Sequence, residues 1–490
     1  MGNVSGKLED YFDKFRQNIV GIDATYESPY GVKKVVYADW IASGRLYGPI
    51  EEKMLKVFGP MVANTHTESS EMGRFMTEAY HFSLHEIKRH VNANASDVII
   101  MAGFGMTSAI NKFQRILGLK NLGAKFASAD ERPVVFVTHL EHHSNHTSWY
   151  ETNVDVVVVE PDENLLVSAD KLREALEPYR HRPLIIGSFS ACSNVTGVFT
   201  PYHKLAAAMH EVGGYCFVDF AASAPYVHMD MHPENEAERL DAVFFSPHKF
   251  LGGPGTSGVL IFNSLLYKNR VPDQPGGGTV DWTNPWGEYK YIDDIERRED
   301  GGTPGFLQAI RSALAIGLKE QMGVDNIVKH EHELVCYALQ ELDSIPRLVK
   351  LADNCRSRIG AVSFYMKDIH YNLIVKLLSD RFGIQMRGGC VCAGTYGHFL
   401  LHVTKEQSHA ITEMISHGDL SQKPGWVRWS IHPTTTMSEI NFIVGSLKEI
   451  AEKVEEWALD YKYCKKSNEF CYSGLNKIEP APIENSFTLD

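Results

Sequence analysis

Short apolar runs bounded by glycine and polar residues recur through the first half of the chain. Their length is that of buried strands rather than helices. Residues 34–39, 133–138, 154–160, 184–190, 215–219, 242–245 and 259–262 predict strands, and a further strand starts at residue 97. Residues 1–30 predict an amphipathic helix with a lead-in. Helical patterning returns at about 74–91 and again at about 309–342, and residues 362–366 open a second, smaller α/β unit.

Several runs end on a polar residue. The most demanding case is Lys249, which follows run 242–245 in Ser246-Pro-His248-Lys249 and precedes glycines at 252, 253, 255 and 258. A bare ammonium at the end of a buried strand is costly. An imine with a carbonyl cofactor removes that charge. A surface hairpin with its lysine in water is the competing reading on this stretch alone. Run 215–219 ends in Asp219, followed by small residues, and a carboxylate there suits a cofactor ring that needs a protonated nitrogen.

Composition narrows the class. At 490 residues, 44% hydrophobic, the chain is globular and long enough for more than one domain. A net charge of -13 argues against bulk nucleic-acid binding. No stretch of about 18 apolar residues predicts a membrane span. The first ten residues carry no apolar signal region, and Met1-Gly2 opens a near-myristoylation pattern that fails at Gly6. Eight cysteines without framework spacing suit reduced thiols, so a cytoplasmic protein is expected.

The residues Asp219 and Ser246-Pro-His248-Lys249 resemble those of the class V, fold-type-I enzymes that use pyridoxal 5'-phosphate, and among them the cysteine desulfurases and selenocysteine lyases. The resemblance runs from about residue 37 to about residue 430. It implies an α/β fold of type I. A large domain with a mostly parallel sheet, 35–305, would bind the cofactor. A small domain would combine 1–34 with 306–460, and 461–490 would be a C-terminal tail carrying Cys464, Cys471 and Pro480.

The same resemblance assigns roles. Gly105, Met106 and Thr107, at a glycine turn into a helix, match the phosphate cup. His142, first histidine of Glu141-His-His-Ser-Asn, matches the ring-stacking histidine, whereas His143 and His146 have no such match. A metal at these histidines is the weaker reading, and no metal is expected. Asn194 matches a donor to the cofactor's phenolic oxygen, and Ser246 and His248 are further cofactor contacts. Ala42 and Ser43 are weaker candidates beside the substrate. Thr303, in Gly-Thr-Pro, matches a residue that reaches a neighbouring subunit's phosphate, which implies a homodimer with a shared active site. Ala222 departs from the family, which usually has Gln there; either that contact is missing or Ser223 or another group supplies it. Cys192 is read as a small buried apolar residue.

Arg387, Gly389 and Cys392 match the desulfurase stretch that carries the nucleophilic cysteine, while Cys390 stands where one group of the family has His. A Cys-x-Cys metal half-site and an inert buried pair are the competing readings. Arg428 matches the arginine that grips the substrate carboxylate, with Arg387 assisting. The implied reaction converts L-cysteine to L-alanine, with Lys249, Cys392 and His142 catalytic and the sulfur held on Cys392 as a persulfide for a possible acceptor protein. The alternative is a C–S lyase or class V aminotransferase acting without a persulfide. A scaffold that has lost catalysis is disfavoured by Asp219, His142 and Lys249 together.

Overall fold

The computed structural model describes residues 5–65, 67–121, 126, 128–475 and 482–489. The Met1-Gly2 opening of the near-myristoylation pattern and Pro480 lie outside the described residues.

Seven of the predicted runs form one sheet: β1 (Asp97–Ala102), β2 (Val134–Thr138), β3 (Asp155–Val159), β4 (Ile185–Ser190), β5 (Tyr215–Asp219), β6 (Ala242–Phe245) and β7 (Gly258–Asn263), in the order β1-β7-β6-β5-β4-β2-β3. The five strands from β2 to β6 pair in parallel, and β7 is antiparallel to both β6 and β1. Continuous burial along β2, β4, β6 and most of β1, β5 and β7 reflects cover on both faces, as a parallel sheet requires. The register sets Ser190 beside Asp219, and Asp219 beside Phe244. The carboxyl ends of β4, β5 and β6 therefore open onto one crevice, where open α/β sheets bind ligands.

Run 34–39 does not join this sheet. Val36–Tyr37 is only half-buried and pairs in parallel with Ile384–Gln385, and Asp39 bridges to Ser430. The helical stretch 309–342 is two helices, Phe306–Met322 and Val324–Leu342, parted at Gly323, whose φ of 74° suits glycine. A second sheet is antiparallel throughout: β8 (Leu348–Lys350), β9 (Ala361–Met366), β10 (Arg387–Gly389) and β11 (Trp426–Ser430), in the order β8-β9-β11-β10. It shares a core with the helices Val324–Leu342 and Met437–Trp457. The N-terminal helix Ser5–Arg16 spans both units. Phe12 and Phe15 enter the large core, while Arg16 pairs with Glu439 at 2.7 Å. Residues 461–472, expected as tail, form a hairpin of β12 (Tyr461–Cys464) and β13 (Glu469–Tyr472). Tyr461, Phe470 and Tyr472 pack on the small core and supply the apolar surface that holds the hairpin there.

Candidate active site

A cavity of about 180 Å³ sits at the carboxyl ends of β4, β5 and β6. After β6 the chain makes one tight turn, Pro247–Lys249, with proline at its start, where the missing N–H costs nothing. That turn delivers Lys249 into the cavity. Its loop is threaded closely. A Cβ at Gly44, Gly253 or Gly258 would collide with the carbonyls of Phe250, Pro247 and Gly105 respectively. Burial lowers the pKa of Lys249, the Asp219 carboxylate opposes this, and the Arg428 guanidinium adds to it. No described group hydrogen-bonds its Nζ. An amine held toward its neutral form is a nucleophile and a proton acceptor.

Asp219 ends β5. The amide of Ala221 donates to Oδ1 at 2.8 Å, and no described group donates to Oδ2. Burial pushes its pKa up to about 7. A buried carboxylate with a free oxygen calls for a cationic or N–H partner. His142 caps the helix His143–Tyr150, its Nδ1 accepting from the Ser144 amide at 3.1 Å. That bond places the proton of the neutral ring on Nε2. Burial, with Lys249 close by, lowers its pKa to about 3, so the ring is neutral.

At the other end of the cavity, Gly105 takes φ 84° and starts the helix Met106–Ile116. The Met106 amide donates to Ser246 Oγ at 2.8 Å, which ties the helix start to the lysine turn. Thr107 Oγ1 and Ser144 Oγ lie 2.6 Å apart, and both line the cavity. Hydroxyls and amides at a helix N-terminus make an anion seat. His248 flanks it, its pKa lowered to about 4 by burial and by Lys249.

The cationic side is built by β10 and β11. Arg428, 3% exposed, donates from Nη2 to Asp39 Oδ1 at 2.6 Å and from Nη1 to the Asn194 carbonyl at 3.1 Å. Arg387, half exposed, donates from Nε to the other Asp39 oxygen at 3.0 Å. Arg428 Nε and Asn194 Oδ1 are buried without a partner among the described residues. Two guanidiniums against one carboxylate leave a net positive seat, suited to a carboxylate ligand.

Cys392 lies between β10 and the helix Gly394–Leu400, exposed and at φ 61°, with Val391 at φ 44°. The Ala393 amide closes this left-handed turn on the Cys390 carbonyl at 3.0 Å, and three further bonds tie it to other elements. The His143 amide donates to the Cys392 carbonyl at 2.8 Å, the Gly394 amide to His143 Nε2 at 2.9 Å, and Asn194 Nδ2 to the Val391 carbonyl at 2.7 Å. Cys392 lines the cavity with Lys249, and Cys390 packs into a small apolar cluster behind it.

A family model described as aminotransferase class-V matches residues 36–443. The chain belongs to the class V aminotransferase family. Among curated members, it is 28% identical to a probable cysteine desulfurase of Halalkalibacterium halodurans over 369 residues, 73% of this chain and 84% of that protein. It is 27% identical to a probable cysteine desulfurase of Staphylococcus epidermidis over 367 residues, 74% and 84% of the two chains. The fold is that of a cysteine desulfurase from Thermococcus onnurineus, with TM-score 0.72 and 21% identity over 90% of this chain and 98% of that one. A cysteine desulfurase from Escherichia coli superposes with TM-score 0.70 and 20% identity over the same shares.

In this class V member, the residues given a cofactor, substrate or catalytic role from sequence line this cavity except Thr303, and of the two weaker candidates Ala42 lines it and Ser43 does not. Thr303 is exposed in an adjoining cleft that it shares with Gly103, Thr107 and Ser108. Asn194 spends Nδ2 on the cysteine turn rather than leaving it to a ligand. Ser223 is fully buried and does not line the cavity, whereas Ala222 and Cys192 do. Asp39 makes the contacts to Arg387 and Arg428. Ala42 lines the cavity, but Ser43 Oγ bonds the Gly44 carbonyl at 3.2 Å. Sequence reasoning missed Asp39 as the link between the arginines and His143 as the clamp on the cysteine turn. No local spacing signals either, because both partners come from distant elements. Among the described residues no group of three or more His, Cys, Asp or Glu side chains is placed to hold a metal, and no helix is long and apolar enough to cross a membrane.

Proposed function

We propose that this protein is a pyridoxal 5'-phosphate-dependent cysteine desulfurase that converts L-cysteine to L-alanine and takes the sulfur onto Cys392. The observation that carries the reading is the convergence of an exposed thiol, Cys392, with the half-buried Lys249 in one cavity. The curated relatives named as probable cysteine desulfurases support it.

The residues fit that cofactor. Lys249 Nζ, free of hydrogen-bond partners among the described residues, would hold it. Asp219 Oδ2 would face its ring nitrogen, the His142 ring its face, and Thr107, Ser246, His248 and the Gly105–Met106 turn its phosphate. The cofactor, once bound, supplies an electron sink for the bonds around the substrate's α-carbon. Arg428, with Arg387 beside it, binds the substrate carboxylate. Lys249, held toward its neutral form, takes the proton from the substrate's Cα and returns one to the product. Cys392, as thiolate, attacks the substrate's sulfur. The carbon–sulfur bond breaks, a sulfur–sulfur bond forms on Cys392, and the carbon fragment gains a proton to leave as alanine. No external oxidant enters this balance.

We also propose a homodimer with shared sites, in which Thr303 reaches the anion seat of the second copy; its exposure beside Thr107 supports this. A cytoplasmic setting is in keeping with eight free cysteines. A division into 35–305 as cofactor domain, with 1–34 and 306–460 as small domain, draws support from the separate core under the second sheet and from the Arg16–Glu439 link, although Phe12, Phe15 and the helix Phe306–Met322 pack on the large core. A protein acceptor would take the persulfide sulfur.

The deciding experiment measures alanine, pyruvate and sulfide from L-cysteine in the parent enzyme, Cys392→Ser and Cys390→Ser, with mass analysis of the thiol. The desulfurase reading expects alanine and a persulfide in the parent, none in Cys392→Ser, and retained activity in Cys390→Ser. Pyruvate from the parent, with full activity in Cys392→Ser, selects the lyase instead. Ala222 in place of Gln keeps that second reading on the table.

A further inference from the structure

The hairpin β12–β13 lies beyond the residue at which the family match ends, 443. Its turn residue Asn468 is buried, at 8% exposure, and has φ 60°, a conformation that Asn tolerates better than most side chains. Each polar group of Asn468 is used. Its amide donates to the Cys464 carbonyl at 2.8 Å, and its Oδ1 accepts from Tyr463 Oη at 2.8 Å. Its Nδ2 donates to Tyr371 Oη at 2.7 Å, and its carbonyl accepts from Asn372 Nδ2 at 2.6 Å. The last two bonds leave the hairpin and enter the helix Tyr371–Leu377.

Tyr371 and Asn372 lie directly against β10. A Cβ on Gly388 would strike Asn372 Oδ1 and approach Tyr371 Cδ2 to 3.1 Å. A Cβ on Gly425, beside it, would fall 2.6 Å from Tyr371 Cε1 and 2.9 Å from Gly389 Cα. Tyr371 Oη also donates to the Lys423 carbonyl at 3.1 Å, on the segment leading into β11. The tyrosine thus has the hairpin at its hydroxyl and glycine backbone at its ring. The strand it supports begins at Arg387 and runs directly into the turn that carries Cys392.

We propose that the C-terminal hairpin is a positioning element for the Cys392 turn, acting through Asn468 and Tyr371. The kinetic part of this inference rests on Cys392 as nucleophile; the positional part does not. Arg387 ties the start of the strand to Asp39, but Gly388 and Gly389, which lead into the turn, have no side chains with which to fix its height, so an outside support sets where the thiol stands. Small errors in that position are expensive in a displacement that needs alignment.

The test uses full-length, cofactor-loaded protein and two variants that cut the same bond from opposite sides. Asn468→Asp keeps the left-handed turn and the acceptor for Tyr463 but removes the donor. Tyr371→Phe removes the acceptor and, with it, the bond to the Lys423 carbonyl. Lys466→Ala, an exposed change in the same hairpin turn, is the control. Two quantities are read: the rate of Cys392 alkylation by iodoacetamide, followed by peptide mass analysis against Cys471 as internal reference, and the KM and kcat for alanine release. The expected result is an altered Cys392 rate with Cys471 unchanged. A kcat loss of about 10-fold with KM for L-cysteine held is expected as well, within the ~10²-fold that a displacement of about 1 Å costs. The double variant should be no worse than Tyr371→Phe alone, because that change already removes both the Asn468 bond and the one to the Lys423 carbonyl. Parent-like alkylation and kcat in both variants overturn the proposal. So does equal change at Cys392 and Cys471, which marks general loosening. Should the parent make pyruvate instead of alanine, the desulfurase reading fails, while the Cys392 alkylation rates still judge the positioning role.

Discussion

Asp39 and Arg428 stand 389 positions apart and share a charge-assisted hydrogen bond of 2.6 Å, with Arg387 on the second carboxylate oxygen at 3.0 Å. Asp39 therefore holds both arginines aligned before any substrate arrives. It also leaves a balance of one positive charge, the complement of a single carboxylate. Arg428→Ala removes a buried, bidentate-capable cation. The expected loss in kcat/KM for L-cysteine is on the order of 10²-fold, from about 2–3 kcal/mol of charged contact, carried in KM. Arg387→Ala, half exposed and screened, should cost at most a few-fold, within the ~1 kcal/mol of an exposed pair. Steady-state kinetics on both variants checks the ranking, and equal losses would place the carboxylate midway between them.

Among the described residues Lys249 is the one lysine lining the cavity. Lys249→Ala should lose the visible absorbance of the loaded enzyme and all turnover. Retained turnover would remove pyridoxal phosphate chemistry from the reading altogether.

Gly105 tests the anion seat. Its φ of 84° disfavours any side chain, and a Cβ there would point into the seat, 3.1 Å from Ser246 Oγ and 3.5 Å from the His248 ring. Gly105→Ala should weaken cofactor retention on gel filtration while leaving the thermal midpoint of the cofactor-free protein within a few degrees, the shift expected from roughly 1 kcal/mol of backbone strain. Unchanged retention would move the phosphate elsewhere.

Burial of Glu331, with only partial relief from the Gly360 amide, pushes its pKa up to about 8 from an ordinary 4.5. The folded chain thus keeps a proton that the unfolded chain releases. Stability from this group is complete below about pH 4.5 and is lost as pH rises toward 8. Asp219, raised to about 7, adds to the same slope in the cofactor-free protein. Glu331→Gln should therefore gain on the parent as pH rises through that window, by about 1.4 kcal/mol per unit at most. Urea unfolding at pH 5 and pH 8 reads it; a pH-independent difference would place the titration on another group.

The strands of the large sheet were legible because burial on both faces makes each a continuous apolar run, and because their polar terminal residues stand out against it. Lys249 and Asp219 stand out that way, whereas His142 and Asn194 are assigned by the resemblance of their motifs to the family's. Asp39 was passed over because its partners arrive from β10 and β11, and no local pattern announces a pairing across the chain. The run 34–39 was misplaced for a related reason. Its composition reads as a strand, but its register partner, Ile384–Gln385, is chosen by packing. The hairpin at 461–472 was hidden in a polar sequence whose few aromatic residues find their cover only on the small core. Ser223 was a reasonable stand-in for a missing Gln until the turn after Asp219 buried its hydroxyl away from the cavity.

The close threading of the lysine loop at Gly44, Gly253 and Gly258 bears on how this protein tolerates change. In a saturation-mutagenesis scan these three positions should score as intolerant as Lys249 itself, although none touches substrate. A library built to redirect the enzyme toward new amino acids would waste its diversity there. It would do better on Ile41, Ala42 and Ala222, which face the cavity and whose neighbours do not depend on an absent Cβ.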